Sequence, residues 1–302
     1  MSAQRPPVEF ELTEADGFTV FVSPRGATLT GATYRGQTVM PRIDAIEHPL
    51  SAGELLLPWP NRIRDGKWNL DGASGAAAVN EPARGNAIHG LVRALDFALE
   101  HASANELSLR ARLEPSAAFP FSLDITQRFR ISRAALESET TLFNPGLERV
   151  PWAFGAHPYL GIAGLPATEL TLALEAREVL ITDDRLLPVD RAAVSGALDL
   201  AAPQRLSELV LDHAFTGLSA RPLAVLAAVD GRSLSVFGDE HIRYLQVFTP
   251  AERGAELGPG GWVAIEPMTA PADALNSGEG VQWLDSGETA SVRWSIRAAG
   301  AW

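Results

Sequence analysis

Hydrophobic and polar residues alternate strictly in several stretches of this 302-residue chain. The clearest alternation covers Leu107–Glu114, Asp124–Ile131 and Ala290–Arg297, where apolar side chains occupy every second position. A period of two is typical of half-buried strands in antiparallel sheets. Shorter strands are predicted at Phe18–Ser23, Leu136–Phe143, Leu170–Leu174, Val179–Thr182, Ala224–Val229, Ser233–Phe237, Tyr244–Phe248 and Trp262–Ile265.

Turn-forming sequences rich in Gly, Pro, Asn and Asp separate these strands, for example at Asp71–Gly72, Asn144–Gly146 and Gly258–Gly261. Helical periodicity is scarce, and the best candidate is a helical turn or two around Gln204–Val210, after Pro203. No repeat, linker or charge block divides the chain. The sequence therefore predicts an all-β protein, with residues 1–302 forming a single domain that is one large antiparallel β-sandwich with few short helices.

Composition and charge exclude several functions. A net charge of −12 disfavours nucleic acid and anionic membranes as partners. The absence of cysteine excludes disulfides, thiolate nucleophiles and Cys-ligated metals. Lys67, in the turn-like segment Asp65–Lys67, is the only lysine and thus the only candidate for Schiff-base chemistry. The start, Met1–Phe10, lacks a signal-peptide pattern and no apolar run reaches membrane-spanning length, so we expect a cytoplasmic protein.

Common motifs for cofactor and metal chemistry are absent from the sequence. There is no GxGxxG opening a helix, no phosphate-binding GxxxxGK[ST], no GxSxG and no HExxH. None of the six histidines is paired at metal-ligand spacing. We therefore predict neither a nucleotide cofactor nor a metal site.

Four segments are candidates for a functional site because a polar side chain lies among rigid or aromatic residues: Leu57–Ile63, Asn86–Gly90, Phe154–Tyr159 and Trp262–Pro267. The polar groups are, in order, Asn61 with Arg62, then His89, His157 and Glu266. Each also has a structural interpretation, in which the histidines pack near strand ends and the charged groups form ion pairs or cap loops. In the last segment an apolar strand is predicted to end at the carboxylate, just before the proline.

In chain order, five stretches resemble motifs of the aldose 1-epimerase (galactose mutarotase) family: PWPNRIRDGKWNLDG, NAIHGL, AHPYLGI, LDHAFTGL and VAIEPMTAPADALNSG. The resemblance covers nearly the whole chain and implies the large β-supersandwich of that family. The compact PWPNRIRDG form is similar to a bacterial subgroup that includes sulfoquinovose mutarotase-like proteins. Ala156, Leu160, Met268 and Ala272 depart from residues frequent in the family, which leaves the identity of the sugar open.

The resemblance implies an isomerase that interconverts the α and β anomers of a free hexose through ring opening. Glu266 would be the general base for the anomeric hydroxyl and His157 the general acid for the ring oxygen. Because the acid must start protonated, we expect a nearby negative charge to raise the pKa of His157. Partial desolvation of Glu266 would make it a stronger base.

The same resemblance assigns sugar binding to Arg62, His89 and Asp212, with Asn61 supporting the same wall. It implies no cofactor. Tyr159 and Phe248 would lie either beside the sugar or in the core. In an alternative register, which ranks second, His213 takes the role of Asp212. His48, His101 and His241 match nothing in the family and are expected on the surface or in the core.

Other functions remain open at this point. The chain could be a non-catalytic carbohydrate-binding protein, or an epimerase of an anionic (sulfonated or phosphorylated) hexose that uses Arg62, Arg64, Arg84 and Arg93. A glycoside hydrolase with Asp212 and Glu266 as its carboxylate pair ranks last, since it leaves His157 without a role. The sequence is compatible with a monomer or a homodimer.

Overall fold

The computed structural model describes residues 9–47, 49–219 and 221–302. His48, one of the histidines without a predicted role, lies outside this range. The described residues form β-strands of two to eleven residues, joined by turns and short 3-10 segments.

The strands of the first half of the chain are β1 (Phe10–Thr13), β2 (Phe18–Ser23), β3 (Thr28–Tyr34), β4 (Gln37–Met40), β5 (Leu55–Leu56), β6 (Arg62–Arg64), β7 (Lys67–Leu70), β8 (Ala73–Ala76), β9 (Asn86–Ile88), β10 (Ala98–Ala102), β11 (Glu106–Leu113), β12 (Leu123–Ile131) and β13 (Ala135–Phe143). Those of the second half are β14 (Val150–Trp152), β15 (Gly155–Ala156), β16 (Tyr159–Leu160), β17 (Leu170–Ala173), β18 (Glu178–Thr182), β19 (Pro188–Ala193), β20 (Gln204–Arg205), β21 (Asp212–Thr216), β22 (Ala224–Ala228), β23 (Ser233–Gly238), β24 (Tyr244–Phe248), β25 (Val263–Met268), β26 (Gln282–Leu284) and β27 (Thr289–Ala299).

Helical structure is sparse, as the sequence predicts, and the helical turn predicted within Gln204–Val210 is confirmed as one 3-10 turn, Leu206–Glu208. The first two residues of that range form the short strand β20 instead. Within the described part of the chain, the one α-helix is α1 (Ala274–Ser277). The 3-10 segments are Pro49–Ser51, Val92–Ala94, Ala167–Glu169, Gly196–Leu198, Leu206–Glu208 and Ala251–Leu257.

Two large antiparallel sheets dominate the fold. The first has nine strands in the order β10-β11-β12-β13-β27-β23-β22-β17-β20. The second has the order β19-β18-β21-β24-β25-β15-β5, and β16 also pairs with β25. A four-stranded sheet, β1-β2-β3-β4, and the two-stranded ribbons β6-β9, β7-β8 and β14-β26 complete it.

The long strands confirm the alternating pattern. In β27, Trp294 and Ile296 are buried, whereas Arg293 and Arg297 are exposed. This strand runs between β13 and β23 near the middle of the nine-stranded sheet. One apolar core joins buried side chains from both large sheets and the four-stranded sheet. The prediction of an all-β, antiparallel architecture is confirmed, and each predicted strand exists with bounds that differ by a few residues.

The strands that sequence periodicity misses include some that are buried on both faces, some that are largely exposed, such as β10 and β19, and several that are very short. β3 is buried at six of its seven positions, so it shows no alternation. The strands β5, β15 and β16 have two residues each and are too short for a periodic signal. These short strands surround the candidate site.

Gly90 fixes the turn that follows β9. Its φ is +70°, and a Cβ atom built there would lie 2.0 Å from the carbonyl oxygen of Leu57. The amide of Leu91 donates to that same oxygen at 2.6 Å. Only glycine permits both the left-handed conformation and this approach of two backbones.

We expect Gly90→Ala to lower the free energy of unfolding by about 3 kcal/mol or more, because strain and a backbone clash combine. Gly72, with φ +86° and nothing within 4 Å of its built Cβ, is the matched control. Gly72→Ala should cost only about 1 kcal/mol. Urea unfolding of both variants measures the difference, and equal losses would contradict the close approach at Leu57.

Candidate active site

Strand β25 pairs with two short strands, β15 and β16, on either side of the candidate acid–base residues. β15 pairs with β25 through Gly155 and Met268, and β16 pairs with it through Tyr159 and Ala264. Both pairs belong to one register, which places His157, between the two short strands, directly opposite Glu266. Opposite residues of neighbouring antiparallel strands share a face of the sheet, so the register itself brings the histidine to the carboxylate.

The predicted end of the strand at Glu266 is wrong, since β25 continues through Pro267 to Met268. A proline within a central strand normally loses a ladder hydrogen bond. Here the amides of Ile265 and Thr269 donate to the β15–β16 side, to Pro158 and Phe154. The nitrogen of Pro267 faces the same side, where the register places Ala156, so the ladder lacks one hydrogen bond at this position.

His157 and Glu266 form a buried pair. Nε2 of His157 lies 3.4 Å from Oε1 of Glu266, and the two residues are 5% and 2% exposed. The imidazole stacks on Tyr159 with ring centroids 5.2 Å apart and meets the ring of His89 edge-on at 5.1 Å. Among the described residues, nothing hydrogen-bonds to Nδ1 of His157 or Oε2 of Glu266. Buried polar atoms of this kind suit a site where a ligand supplies the missing partner.

The ribbon β6-β9 brings the other candidate residues together. The amide of His89 donates to the carbonyl of Asn61 at 2.9 Å, directly beside the Arg62–Ile88 pair. Asn61 and His89 both have left-handed backbones, with φ of 55° and 67°. Asn and His adopt this conformation more readily than most residues. The two turns direct both residues into the buried region next to His157.

A chain of hydrogen bonds joins the ribbon to the large sheet. Arg62 donates from Nε and Nη2 to the two oxygens of Glu81, each at 2.9 Å, and from Nη1 to Asn61 at 3.0 Å. Asn61 in turn donates to Gln246 at 3.4 Å, and Gln246 donates to Asp212 at 2.6 Å. Gln246 stands directly opposite Glu266 in the β24–β25 register. The network therefore reaches the buried pair.

The structure brings all the predicted site residues into one region. Asn61, Arg62 and Asp212 line the same cavity with Gln246, against an apolar wall that includes Leu180. His89 contacts His157, which contacts Glu266. Phe248 packs against a small apolar cluster that contains Trp262 and Tyr159, and Tyr159 is also the ring that stacks on His157.

Burial changes the pKa values of the carboxyl groups of Glu266 and Asp212. Burial raises the pKa of Glu266 well above its ordinary range, the charge of Asp212 raises it further, and Arg62 opposes the change. Burial also raises the pKa of Asp212, against the influence of Arg62. A buried carboxyl with a raised pKa suits proton transfer near neutral pH.

The pKa values of the two buried histidines, His157 and His89, shift in the opposite direction. Burial lowers the pKa of His157 to about 4, and the negative charge of Glu54 opposes this without cancelling it. The expectation of a raised pKa for His157 is therefore wrong, since desolvation of the cation exceeds the attraction of the nearby carboxylate. Burial also lowers the pKa of His89 well below its ordinary value, with His157 and Arg93 acting in the same direction.

Sequence reasoning missed Glu81, Gln246 and Glu54. Glu81 lies in an irregular loop whose sequence carries no signal. Gln246 is detectable, because it is the one polar side chain in the apolar strand Tyr244–Phe248. Glu54 directly precedes the apolar Leu55–Leu57, so a buried carboxylate could have been suspected there as well.

The predictions about a metal site, a membrane span and the remaining histidines can be compared with the described residues. In the described ranges, no group of three or more His, Asp or Glu side chains is arranged to hold a metal ion. Within the same ranges, no helix has the length and apolar character needed to cross a membrane. His101 is exposed on β10 and His241 lies part-buried in a loop, neither near the pair.

An antiparallel all-β fold with a buried histidine–glutamate pair beside a hydrogen-bonding cavity defines a class of proteins equipped for acid–base chemistry on a polar small molecule. A sequence model of the family described as aldose 1-epimerase matches residues 9–297. The chain belongs to the aldose 1-epimerase family, as its motifs predict.

Comparison with known proteins identifies one sequence relative and several solved structures with the same fold. The chain is 29% identical over 275 residues to the uncharacterized protein YihR of Escherichia coli K12, covering 90% of this chain and 87% of that protein. It resembles an aldose epimerase homologue from C. elegans, with 18% identity, a TM-score of 0.85 and coverage of 97% and 99% of the two chains. It also resembles the galactose 1-epimerase of Lactobacillus acidophilus, with 18% identity, a TM-score of 0.82 and coverage of 99% and 96%. The galactose mutarotase-like fold is thereby confirmed, whereas the sulfoquinovose mutarotase-like subgroup stays a prediction.

The lowered pKa of His157 predicts a pH dependence of stability. An unfolded histidine titrates at about 6.5, so between pH 6.5 and 4 the unfolded chain binds more protons at this position than the folded protein. The resulting stabilisation, about 3 kcal/mol, is complete above pH 6.5 and disappears as the pH falls through 4. Urea unfolding from pH 7 to 4 should show a shallower loss of stability for His157→Gln than for wild type. His101→Gln, at an exposed position, is the control, and an unchanged slope in His157→Gln would contradict the neutral state of His157.

Proposed function

We propose that this member of the family is an active aldose 1-epimerase, an isomerase that interconverts the α and β anomers of a free hexose by acid–base-catalysed ring opening. The observation that carries the proposal is the 3.4 Å contact of His157 Nε2 with Glu266 Oε1, both buried, with the polar side chain of Gln246 directly opposite Glu266 in the β24–β25 pairing. Family membership supports the same reaction.

The reaction needs two proton transfers. The carboxylate of Glu266 takes the proton of the anomeric hydroxyl, and the electron pair of that O–H bond forms the carbonyl at C1. The bond between C1 and the ring oxygen breaks, and the ring oxygen takes a proton from His157. Rotation about the C1–C2 bond presents the other carbonyl face, and closure returns both protons. Positioned groups of this kind typically accelerate such steps by about 10²–10⁴-fold.

The pair can hold the required proton in two arrangements. With the pKa of Glu266 raised and that of His157 lowered to about 4, burial favours a neutral carboxyl beside a neutral imidazole. An ionised Glu266 beside a protonated His157 contains the same single proton, transferred across the 3.4 Å contact. Sugar hydroxyls that donate to the carboxylate favour this second arrangement, which is the reactive one.

The surrounding residues would hold the sugar ring. Arg62 donates hydrogen bonds, Asp212 accepts them, and the amide of Asn61 can do both. The neutral His89 presents one donor and one acceptor nitrogen, and no described residue hydrogen-bonds to its Nδ1. Alternating donors and acceptors suit the hydroxyl groups of a pyranose.

Ion pairing of the nearby arginines supports a neutral sugar. Each of the arginines considered for an anionic substrate has a carboxylate partner: Arg62 and Arg84 pair with Glu81, Arg64 with Asp183 and Asp273, and Arg93 with Glu54. Arg64 and Arg84 are nevertheless 41% and 40% exposed, and they keep an anionic hexose as the second candidate. A sulfonated or phosphorylated sugar would bind these two side chains at the rim.

Anomer exchange measured by NMR tests the proposal. Wild type should accelerate exchange of α-glucose, α-galactose or a sulfonated hexose, and the best substrate separates the neutral from the anionic class. His157→Gln and Glu266→Gln should each lose about 10²–10⁴-fold in kcat, because each removes one proton-transfer group.

Two exposed positions provide matched controls. His101→Gln and Glu137→Gln make the same chemical changes far from the pair and should leave exchange unchanged. Sugar binding without acceleration would instead indicate a non-catalytic carbohydrate-binding protein. Full activity in Glu266→Gln would mean that another group is the base.

A further inference from the structure

Glu54 lies beside His157 on the neighbouring segment of chain. The amide of His157 donates to the carbonyl of Glu54 at 3.0 Å, and the amide of Gly53 donates to the carbonyl of His157 at 2.9 Å. The register continues the β5–β15 pairing, in which Leu55 stands opposite Ala156. Cross-strand neighbours of this kind have Cβ atoms about 5 Å apart.

The carboxylate of Glu54 is completely buried and paired with one arginine. Its side chain is 0% exposed, and Oε2 lies 2.9 Å from Nη2 of Arg93, whose side chain is 22% exposed. A buried ion pair of this type contributes little net stability, because desolvation of the charges offsets their attraction. An apolar pair of similar volume would serve the packing as well. The charge therefore calls for another role.

Charged and titratable groups face His157 from several elements. Glu266 on β25 contacts it, His89 after β9 meets its ring, and Arg62 on β6 and Arg93 in the Val92–Ala94 turn are close enough to disfavour its cation. Glu54 is the largest influence that favours the cation. Without Glu54, the charges of the two arginines would act on the imidazole with little opposition.

We propose that Glu54 is a positioning residue for His157, whose buried carboxylate, held by Arg93, favours the arrangement in which the shared proton lies on the imidazole. The proposal rests on the proposed function, because it concerns the acid of that reaction. Glu54 acts through His157 and does not contact the sugar, since its side chain has no exposed surface.

Titration of His157 tests the proposal without any use of catalysis. Imidazole nitrogen shifts, assigned by comparison with His157→Gln, should show the midpoint in Glu54→Gln lowered by about one pH unit, a tenfold smaller protonated fraction. Glu54→Asp keeps the charge and should retain most of the wild-type midpoint. Asp124→Asn removes a buried carboxylate paired with Arg110 and Arg112 in the nine-stranded sheet and should leave the midpoint unchanged.

Replacement of the whole pair protects the test from a folding defect. Glu54→Gln combined with Arg93→Met leaves no unpaired charge and should fold. Because Glu54 has more influence on His157 than Arg93, the midpoint should still fall in the double variant, by less than in Glu54→Gln.

Kinetics separate this role from a structural one. In Glu54→Gln, kcat for anomer exchange should fall about tenfold with KM unchanged, in parallel with the loss of protonated His157. If the titration midpoint of His157 is unchanged both in Glu54→Gln and in the double variant with Arg93→Met, the proposal is overturned. If wild type exchanges no anomers while Glu54→Gln still lowers the midpoint, the proposed function fails but the influence of Glu54 on His157 stands.

Discussion

The contact between His157 and Glu266 depends on how β25 is paired. Two short strands, β15 and β16, pair with the same edge of β25 in one register, which places His157 directly opposite Glu266. Because opposite residues of neighbouring antiparallel strands share a face of the sheet, this register presents the imidazole to the carboxylate. The acid–base pair is therefore a product of sheet topology, held in place by backbone hydrogen bonds.

Desolvation is the second constraint, and the network around the pair compensates for it. Arg62, Asn61, Gln246 and Asp212 satisfy one another in a continuous series of hydrogen bonds, so their side chains are fixed before a ligand arrives. The same burial opposes every charged form in the site. A small number of fixed charges, with Glu54 among them, then decides where the shared proton lies.

The sequence predicts the half-buried strands well, because alternation survives wherever one sheet face meets solvent. It fails at β3, buried on both faces, and at Glu266, where a following proline suggests that a strand has ended. Motif resemblance predicts residues for sugar contact, and the structure brings them into one region. It does not find Glu81 or Gln246, whose roles arise only through partners distant in the chain, and it does not anticipate the low pKa of His157, which follows from tertiary burial.

In the proposed reaction, one proton moves between Glu266 and His157 when a sugar binds. Imidazole nitrogen shifts of His157, recorded near neutral pH with and without a saturating hexose, measure this directly. We expect a neutral ring in the free protein and a substantial imidazolium fraction in the complex. A ring that stays neutral at saturation, in a protein that still exchanges anomers, would contradict His157 as the acid.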